Sequence, residues 1–137
     1  MLFRSLRAAG LSAAKARSLR DLSEKVASGA VPLARLTELP DEEVIETLLP
    51  VRGIGRWTAQ MFLIFSLGRP NVLPLDDFGL RAGVKRHYGL DELPGRAKLE
   101  ELAAPWHPHC SIATWYVWRS LDPAVAARNG GQKPPAP

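Results

Sequence analysis

The sequence contains little cysteine and no long apolar run, and each of these shortages excludes a class of protein. Its one cysteine, Cys110, excludes an internal disulfide framework and a cluster held by four cysteines of this chain, and it is typical of a reducing compartment. No apolar run reaches the roughly 18 residues that a membrane span needs. The 137 residues are 46% hydrophobic and 23% charged, an ordinary globular composition that argues against a wholly disordered chain.

Charges of both signs are present, but they are segregated along the chain. The formal net charge is +4, yet residues 36–50 contain five acids and no base. Residues 1–35 carry seven bases against two acids, and residues 51–90 carry six against two. Basic stretches attract polyanions, with nucleic acid the first candidate. The alternative is a solvated surface of mixed charge.

Glycine and proline divide the chain into short helical segments, and this pattern predicts an all-α fold without strands. The predicted helices are residues 12–28, 41–48, 56–67, 77–88, 96–103 and 110–121, with a helical turn within 32–39. The segment 56–67 is apolar on all sides, which is typical of a helix at the centre of a core. We expect one domain over residues 1–121 and a disordered tail over 122–137, which is rich in alanine, proline and glycine.

A Gly-x-Gly pair separates two of the predicted helices. Gly53 and Gly55 permit a tight turn and a close approach of the backbone to a partner. The turn leads into a helix N-terminus, where N–H groups and the helix dipole favour an anion such as a DNA phosphate. Arg52 and Arg56 add positive charge. By itself, this pattern fits a plain tight turn at least as well as a phosphate-binding hairpin.

Three stretches together resemble the helix-hairpin-helix DNA glycosylase superfamily, and in particular its 3-methyladenine DNA glycosylase II type. They read GLSAAKARSLRDLS, LLPVRGIGRWTAQMFLIFSLGRPNVLPLDDFGLRAGV and WHPHCSIATWYVWRSLD, and the resemblance covers about Leu6 to Asp122. It implies an orthogonal bundle of α-helices that contains a helix-hairpin-helix motif, of which this chain forms part. It also implies a base-excision repair enzyme that hydrolyses the N-glycosidic bond of alkylated purines in double-stranded DNA, in the cytoplasm with the bacterial nucleoid.

The resemblance places the family's catalytic aspartate on Asp77, in a register set by the FGLR segment that follows. An aspartate at a helix start is ordinarily an N-cap worth about 1 kcal/mol, and the two roles can coexist. Breaking an N-glycosidic bond builds positive charge on the sugar. A carboxylate about 4 Å away stabilises a unit charge by about 4 kcal/mol at an effective dielectric of about 20. Asp76 is expected to cap the helix or to tune its neighbour.

The resemblance also assigns the lining of a base pocket. Aromatic pocket residues of the family fall on Trp57, Phe78 and Trp118, and Met61 falls at another pocket position. An electron-rich ring at position 118 can stack on a cationic alkylated base. Trp115, three residues earlier on the same predicted helix, is expected to pack in the core.

The hairpin is expected to bind the DNA backbone. The family's hairpin glycines fall on Gly53 and Gly55, which would meet DNA through N–H groups beside Arg52 and Arg56. In relatives, backbone carbonyls of the hairpin hold a monovalent cation, Na⁺ or K⁺, and the corresponding positions are Leu49, Val51 and Ile54. The resemblance implies no other cofactor and no iron–sulfur cluster.

Two differences between this chain and some of its relatives refine the expected activity. Trp57 stands where relatives that also cut the DNA backbone have a lysine nucleophile, which predicts a monofunctional enzyme that uses water and lacks lyase activity. Full-length relatives have further helices before the matching part, so we expect the helix at 56–67 to lack cover and to expose an apolar patch suited to self-association. The alternative function is a catalytically inactive, N-terminally shortened module that only binds DNA.

Overall fold

A computed structural model describes residues 5, 6 and 8–123, which form helices joined by turns and contain no strand. This confirms the predicted all-α class. The helices are α1 (Ala13–Ala27), α2 (Asp41–Leu48), α3 (Arg56–Phe65), α4 (Phe78–Tyr88), α5 (Arg96–Ala103) and α6 (Cys110–Ser120), with 3₁₀ turns at Leu33–Arg35 and Ala104–Trp106. None of these helices combines the length with the apolar character needed to cross a bilayer.

The predicted helix bounds agree with the structure to within two residues at each end. The chain divides into two compact units, one ending at Leu67 and the other beginning at Gly68. From residue 124 onwards the predicted tail lies outside the described residues.

Helices α1, α2 and α3 lie in the first unit, and local sequence sets the ends of α1. The Ser12 hydroxyl oxygen accepts a hydrogen bond from the Lys15 N–H at 3.3 Å and so caps α1. Gly29, with a φ of 80°, follows the last turn of that helix. Helix α2 packs against α3 and buries three apolar side chains, Val44, Ile45 and Leu48.

Helix α3 corrects one expectation. It was expected to lie enclosed at the centre of a core, but only the face that bears Ala59, Gln60 and Leu63 is buried. Trp57 is 48% exposed and Phe65 is 63% exposed, because both lie off that face. The exposed apolar surface expected on this helix is therefore present.

In the second unit, α4 packs against α6. Its core contains Leu80, Val84 and Leu99, with partly buried apolar residues around them: Leu73, Leu75, Leu90, Leu102, Trp106 and Val117. Helix α4 begins at an aspartate cap and ends at Gly89, which adopts the left-handed conformation with a φ of 63°. This arrangement fixes the start of α4, where the predicted catalytic residue lies.

Candidate functional site

The hairpin between α2 and α3 is a tight turn over residues 51–54. The Ile54 N–H donates a hydrogen bond to the Val51 carbonyl at 3.0 Å. Gly53 has a φ of 82°, a conformation that L side chains rarely adopt. A Cβ on Gly53 would also lie 2.5 Å from the Ser18 hydroxyl oxygen on α1. The backbone conformation therefore favours glycine at this position, and a side chain here would also displace the Ser18 hydroxyl.

At Gly55, in contrast, neither the backbone conformation nor the packing calls for glycine. Its φ is −96°, and a Cβ there would meet no atom within 4 Å, so neither strain nor crowding excludes a side chain. Gly55 is the N-cap of α3 and makes no side-chain capping hydrogen bond. The positive end of the α3 dipole is thus left without a side-chain cap, which is the arrangement that an anion-binding helix end needs.

Asp21 of α1 anchors the hairpin, a role that was not predicted from the sequence. Its Oδ2 accepts a hydrogen bond from the Arg52 backbone N–H at 2.6 Å, and its Oδ1 accepts one from the Lys25 ammonium at 2.6 Å. The Arg52 N–H, and after it the Lys25 ammonium, hold the pKa of the Asp21 carboxyl below its usual value. The only local signal in the sequence is the spacing of four residues between Asp21 and Lys25.

Arg56 was predicted to contact the DNA backbone, and its guanidinium lies against a carboxylate of α2. Its two terminal nitrogens each donate to one oxygen of Glu42 at 2.7 Å, in a bidentate ion pair. This hydrogen bonding holds the pKa of the Glu42 carboxyl below its usual value. The ion pair ties the two helices of the hairpin together. The Arg52 side chain, in contrast, is exposed.

The carbonyl groups predicted to hold a monovalent cation belong to Leu49, Val51 and Ile54. The Val51 oxygen accepts the hydrogen bond that closes the turn, and a carbonyl oxygen has a second lone pair for another partner. Neutral oxygen donors of this kind suit a hard cation. The residues present fit such an ion, and the cation site stays a prediction.

Asp77 is the N-cap of α4, as the sequence allowed. Its Oδ1 accepts a hydrogen bond from the Leu80 N–H at 2.6 Å. The same oxygen accepts a hydrogen bond from Trp118 Nε1–H of α6 at 2.7 Å. Asp77 is only 8% exposed. A buried carboxylate is therefore held by donors from two different helices, and its catalytic role stays a prediction.

Asp76 has a different environment from its neighbour. The structure shows that Asp77 caps α4, so the expectation that Asp76 caps the helix is wrong. Instead, its Oδ1 lies 2.6 Å from Nη1 of Arg96, the first residue of α5. Both side chains of this pair are more than half exposed. Asp76 thus forms a surface ion pair, and the buried member of the acid pair is Asp77.

The predicted pocket residues differ in exposure. Trp118 is partly buried and hydrogen-bonded to Asp77, whereas Phe78 is 70% exposed. On α3, Trp57 lies exposed in the first turn and Met61 is partly buried one turn later. The pocket itself stays a prediction, and the structure shows Trp118, one of its proposed lining residues, in contact with Asp77.

Trp115 was expected in the core, and this expectation is wrong. Helix α6 turns Cys110, Ser111 and Thr114 inward, so Trp115 faces outward and is 46% exposed. Its ring lies edge-on to Tyr116, with the ring centroids 5.3 Å apart. Cys110, at the start of the same helix, is buried, and this burial raises the pKa of its thiol.

Ser111 is a second anchoring residue whose role was not predicted from the sequence. Its hydroxyl donates to the Arg69 carbonyl at 2.6 Å and accepts from the Val72 N–H at 2.9 Å. Its own N–H donates to the Pro70 carbonyl at 3.0 Å. These bonds fasten the turn after Gly68 to α6, so the segment that leads to Asp77 starts from a fixed position.

Known proteins resemble this chain in both sequence and fold. A DNA-3-methyladenine glycosylase 1 of Schizosaccharomyces pombe is 40% identical over 124 residues, which are 88% of this chain and 53% of that protein. The structure of the S. pombe 3-methyladenine DNA glycosylase in complex with abasic DNA has a TM-score of 0.78 and 38% identity, over 88% of this chain and 59% of that one. A Bacillus halodurans DNA-3-methyladenine glycosidase has a TM-score of 0.79 and 37% identity, over 90% and 57%.

The matches cover most of this chain but a smaller share of each relative. The chain spans about half the length of the curated relatives it matches, between 42% and 54% of each. The model of the HhH-GPD superfamily of base excision DNA repair proteins matches residues 2–108, which include the hairpin and Asp77. The chain therefore belongs to the HhH-GPD superfamily of base excision DNA repair proteins.

Proposed function

We propose that the chain carries the catalytic part of a monofunctional DNA glycosylase. Its substrate would be double-stranded DNA that contains alkylated purines of the 3-methyladenine type, and it would hydrolyse their N-glycosidic bond with water. The observation that carries this proposal is the buried carboxylate of Asp77, held by hydrogen bonds from two helices. The names of the similar proteins support the class of substrate.

In the proposed reaction, the bond between C1′ of the sugar and the base nitrogen breaks, and its electron pair leaves with the base. A base that carries the positive charge of alkylation leaves as a neutral molecule, while positive charge develops on the sugar. The Asp77 carboxylate stabilises that charge by about 4 kcal/mol at about 4 Å and an effective dielectric of about 20, which is roughly a thousandfold in rate. Water, which the carboxylate can orient, then adds to C1′ and loses a proton to the solvent.

We further propose that Trp57, Met61, Phe78 and Trp118 line the base pocket. Aromatic faces attract a cationic base, so they favour alkylated over normal purines with few hydrogen bonds. Flipping the base out of the duplex costs a few kcal/mol. Trp57 has no amine that could attack the sugar, which supports hydrolysis by water without lyase activity.

The hairpin would hold the DNA backbone. Gly53 makes the tight turn possible, and Gly55 leaves the N-terminus of α3 without a side-chain cap, so a phosphate can approach the N–H groups of the helix end. The exposed Arg52 side chain and the Arg56 guanidinium would add positive charge. A monovalent cation on the carbonyls of the hairpin would support the same phosphate contact.

A second candidate is a module that binds DNA but does not turn over. The observation that favours it is the hairpin, which presents the N-terminus of α3 without a side-chain cap to a phosphate, independently of Asp77. The exposed Trp57 and Phe65 are apolar surface through which such a module would associate with a second copy.

Release of 3-methyladenine from methylated duplex DNA tests the proposal and separates the two candidates. The wild-type chain should release the base, and Asp77→Asn should abolish release while leaving DNA affinity within about threefold. Asp76→Asn is the matched control, since it removes a neighbouring exposed charge, and it should retain activity. Borohydride should trap no covalent complex with abasic DNA. DNA binding that weakens with salt, with no base release by folded wild-type protein, would establish the second candidate instead.

A further inference from the structure

The geometry points to Trp118 as a positioning residue for Asp77, acting through its indole N–H in addition to its ring face. This inference rests on the proposed function, because it concerns the carboxylate that would stabilise the sugar cation. A ring that served only to stack on a base would need no hydrogen bond to that carboxylate. The structure shows such a bond, 2.7 Å long, between Trp118 Nε1 and Asp77 Oδ1.

The two donors to Oδ1 constrain the carboxylate in different ways. The Leu80 N–H belongs to the first turn of α4, so this bond fixes Asp77 only relative to its own helix. Trp118 belongs to α6 and lies 41 residues along the chain, so its bond fixes the carboxylate relative to a second helix. A hydrogen bond to an ionised group is stronger than a neutral one. Together the two donors restrict rotation of the Asp77 side chain.

Two glycines of α4 make this contact possible. A Cβ on Gly79 would lie 3.2 Å from both Asp77 Oδ1 and Trp118 Cδ1, closer than side-chain atoms ordinarily approach. One turn later, a Cβ on Gly83 would overlap the Val117 side chain of α6. Glycines four residues apart lie on one face of a helix. They therefore let α6 approach α4 closely enough for the indole to reach the carboxylate.

The effect of this bond should appear in turnover and not in substrate binding. A misplacement of a catalytic group by about 1 Å can cost about a hundredfold in rate. Trp118→Phe keeps an aromatic face and removes the N–H donor, so we expect kcat to fall about 10- to 100-fold with KM within about threefold. Trp115→Phe is the matched control, because this tryptophan lies exposed on the same helix, and it should leave both constants unchanged.

Gly79→Ala provides a second and independent perturbation. The added methyl group crowds the indole and the carboxylate without changing either chemical group. It should lower kcat as Trp118→Phe does, and the double variant should be no worse than the more impaired single variant, because both act on the same bond. Full additivity of the two effects would overturn the inference, as would a raised KM with unchanged kcat in Trp118→Phe.

An NMR measurement tests the hydrogen bond without relying on activity. In ¹⁵N-labelled protein, the Trp118 indole signal is identified by its loss in Trp118→Phe. We expect this N–H to exchange with solvent at least about tenfold more slowly than that of Trp115, and to lose this protection in Asp77→Ala. Equal exchange of the two indoles in the wild-type protein would overturn the positioning role. Absence of base release would instead overturn the proposed function, and with it any catalytic consequence of the bond.

Discussion

The Arg52 backbone N–H lies 2.6 Å from Oδ2 of Asp21, and this hydrogen bond joins the hairpin to a helix 31 residues earlier in the chain. The other oxygen of the same carboxylate binds Lys25. The shape of the hairpin therefore depends on a side chain that carries a negative charge. Ionisation of Asp21 should therefore affect the stability of the contact between α1 and the hairpin.

Asp21→Asn should make the stability of the protein less dependent on pH. The folded-state pKa of Asp21 lies below its usual value of 3.8, so its contribution is fully present above that value and is lost as pH falls through the lower, folded-state pKa. At pH 7 the variant should unfold at a lower urea concentration than the wild type. The gap should close as the pH is lowered past 3.8. Urea midpoints over a pH series, followed by circular dichroism, measure both effects.

The control for this experiment is Glu24→Gln, which removes an exposed charge from the same helix without touching the hairpin. A gap for Asp21→Asn that persists unchanged into strong acid would show that the carboxylate charge does not hold the hairpin.

Gly55→Asn and Gly55→Asp should separate helix capping from phosphate binding. Both side chains cap a helix slightly better than glycine does, and position 55 has room for them, so both variants should melt at or slightly above the wild-type temperature. They differ by one negative charge at the predicted phosphate site. The Asp variant should bind a labelled duplex at least about fivefold more weakly than the Asn variant, as measured by fluorescence anisotropy at fixed salt. Equal affinities would show that no phosphate approaches this helix end.

Glu42→Gln and Arg56→Gln should change DNA binding in opposite directions. Their exposed ion pair contributes at most about 1 kcal/mol to folding, so both variants should remain folded. Glu42→Gln removes an acid and the bidentate ion pair that this acid makes with the Arg56 guanidinium, which should tighten binding. Arg56→Gln should weaken binding and reduce the slope of log K against log salt by about one. An unchanged slope in Arg56→Gln would remove Arg56 from the DNA interface.

Ser111→Ala and Thr114→Val should have opposite effects on stability, although both remove a buried hydroxyl from α6. The Ser111 hydroxyl satisfies the Val72 N–H and the Arg69 carbonyl, so Ser111→Ala should cost about 1–3 kcal/mol of unfolding free energy. The Thr114 hydroxyl has no hydrogen-bond partner in the part of the chain that the structure describes. Thr114→Val should therefore be neutral or stabilising, and denaturant titration compares the two. A destabilising Thr114→Val would mean that this hydroxyl has a partner.

The helices could be predicted from sequence because their ends are encoded locally. Ser12 caps α1, Gly89 ends α4, and the Gly-x-Gly pair separates α2 from α3, so each boundary depends on residues a few positions apart. The capping role of Asp77 could be predicted for the same reason, because it depends on residues next to it in sequence. Its catalytic role came from resemblance to a family, and no local pattern distinguishes a reactive cap from an ordinary one.

The contacts that hold the site together could not be predicted in this way, because they join residues far apart in sequence. Asp21 meets the hairpin across 31 positions, and Ser111 meets Val72 across 39. Nothing in the local sequence at either end specifies its partner. The two tryptophans of α6 show the same limit. They lie three residues apart, yet Trp118 contacts Asp77 at the start of α4 whereas Trp115 is 46% exposed.

The position of Asp77 at the start of α4 removes a conflict that enzymes often face. Reactive groups commonly reduce the stability of the fold, and substitutions that stabilise an enzyme often lower its activity. Here, the charge that the proposed chemistry needs lies at the helix end where a negative charge is favourable. Selection for a stable chain and selection for an active one would therefore retain the same residue, and loss of activity would bring no gain in stability at this position.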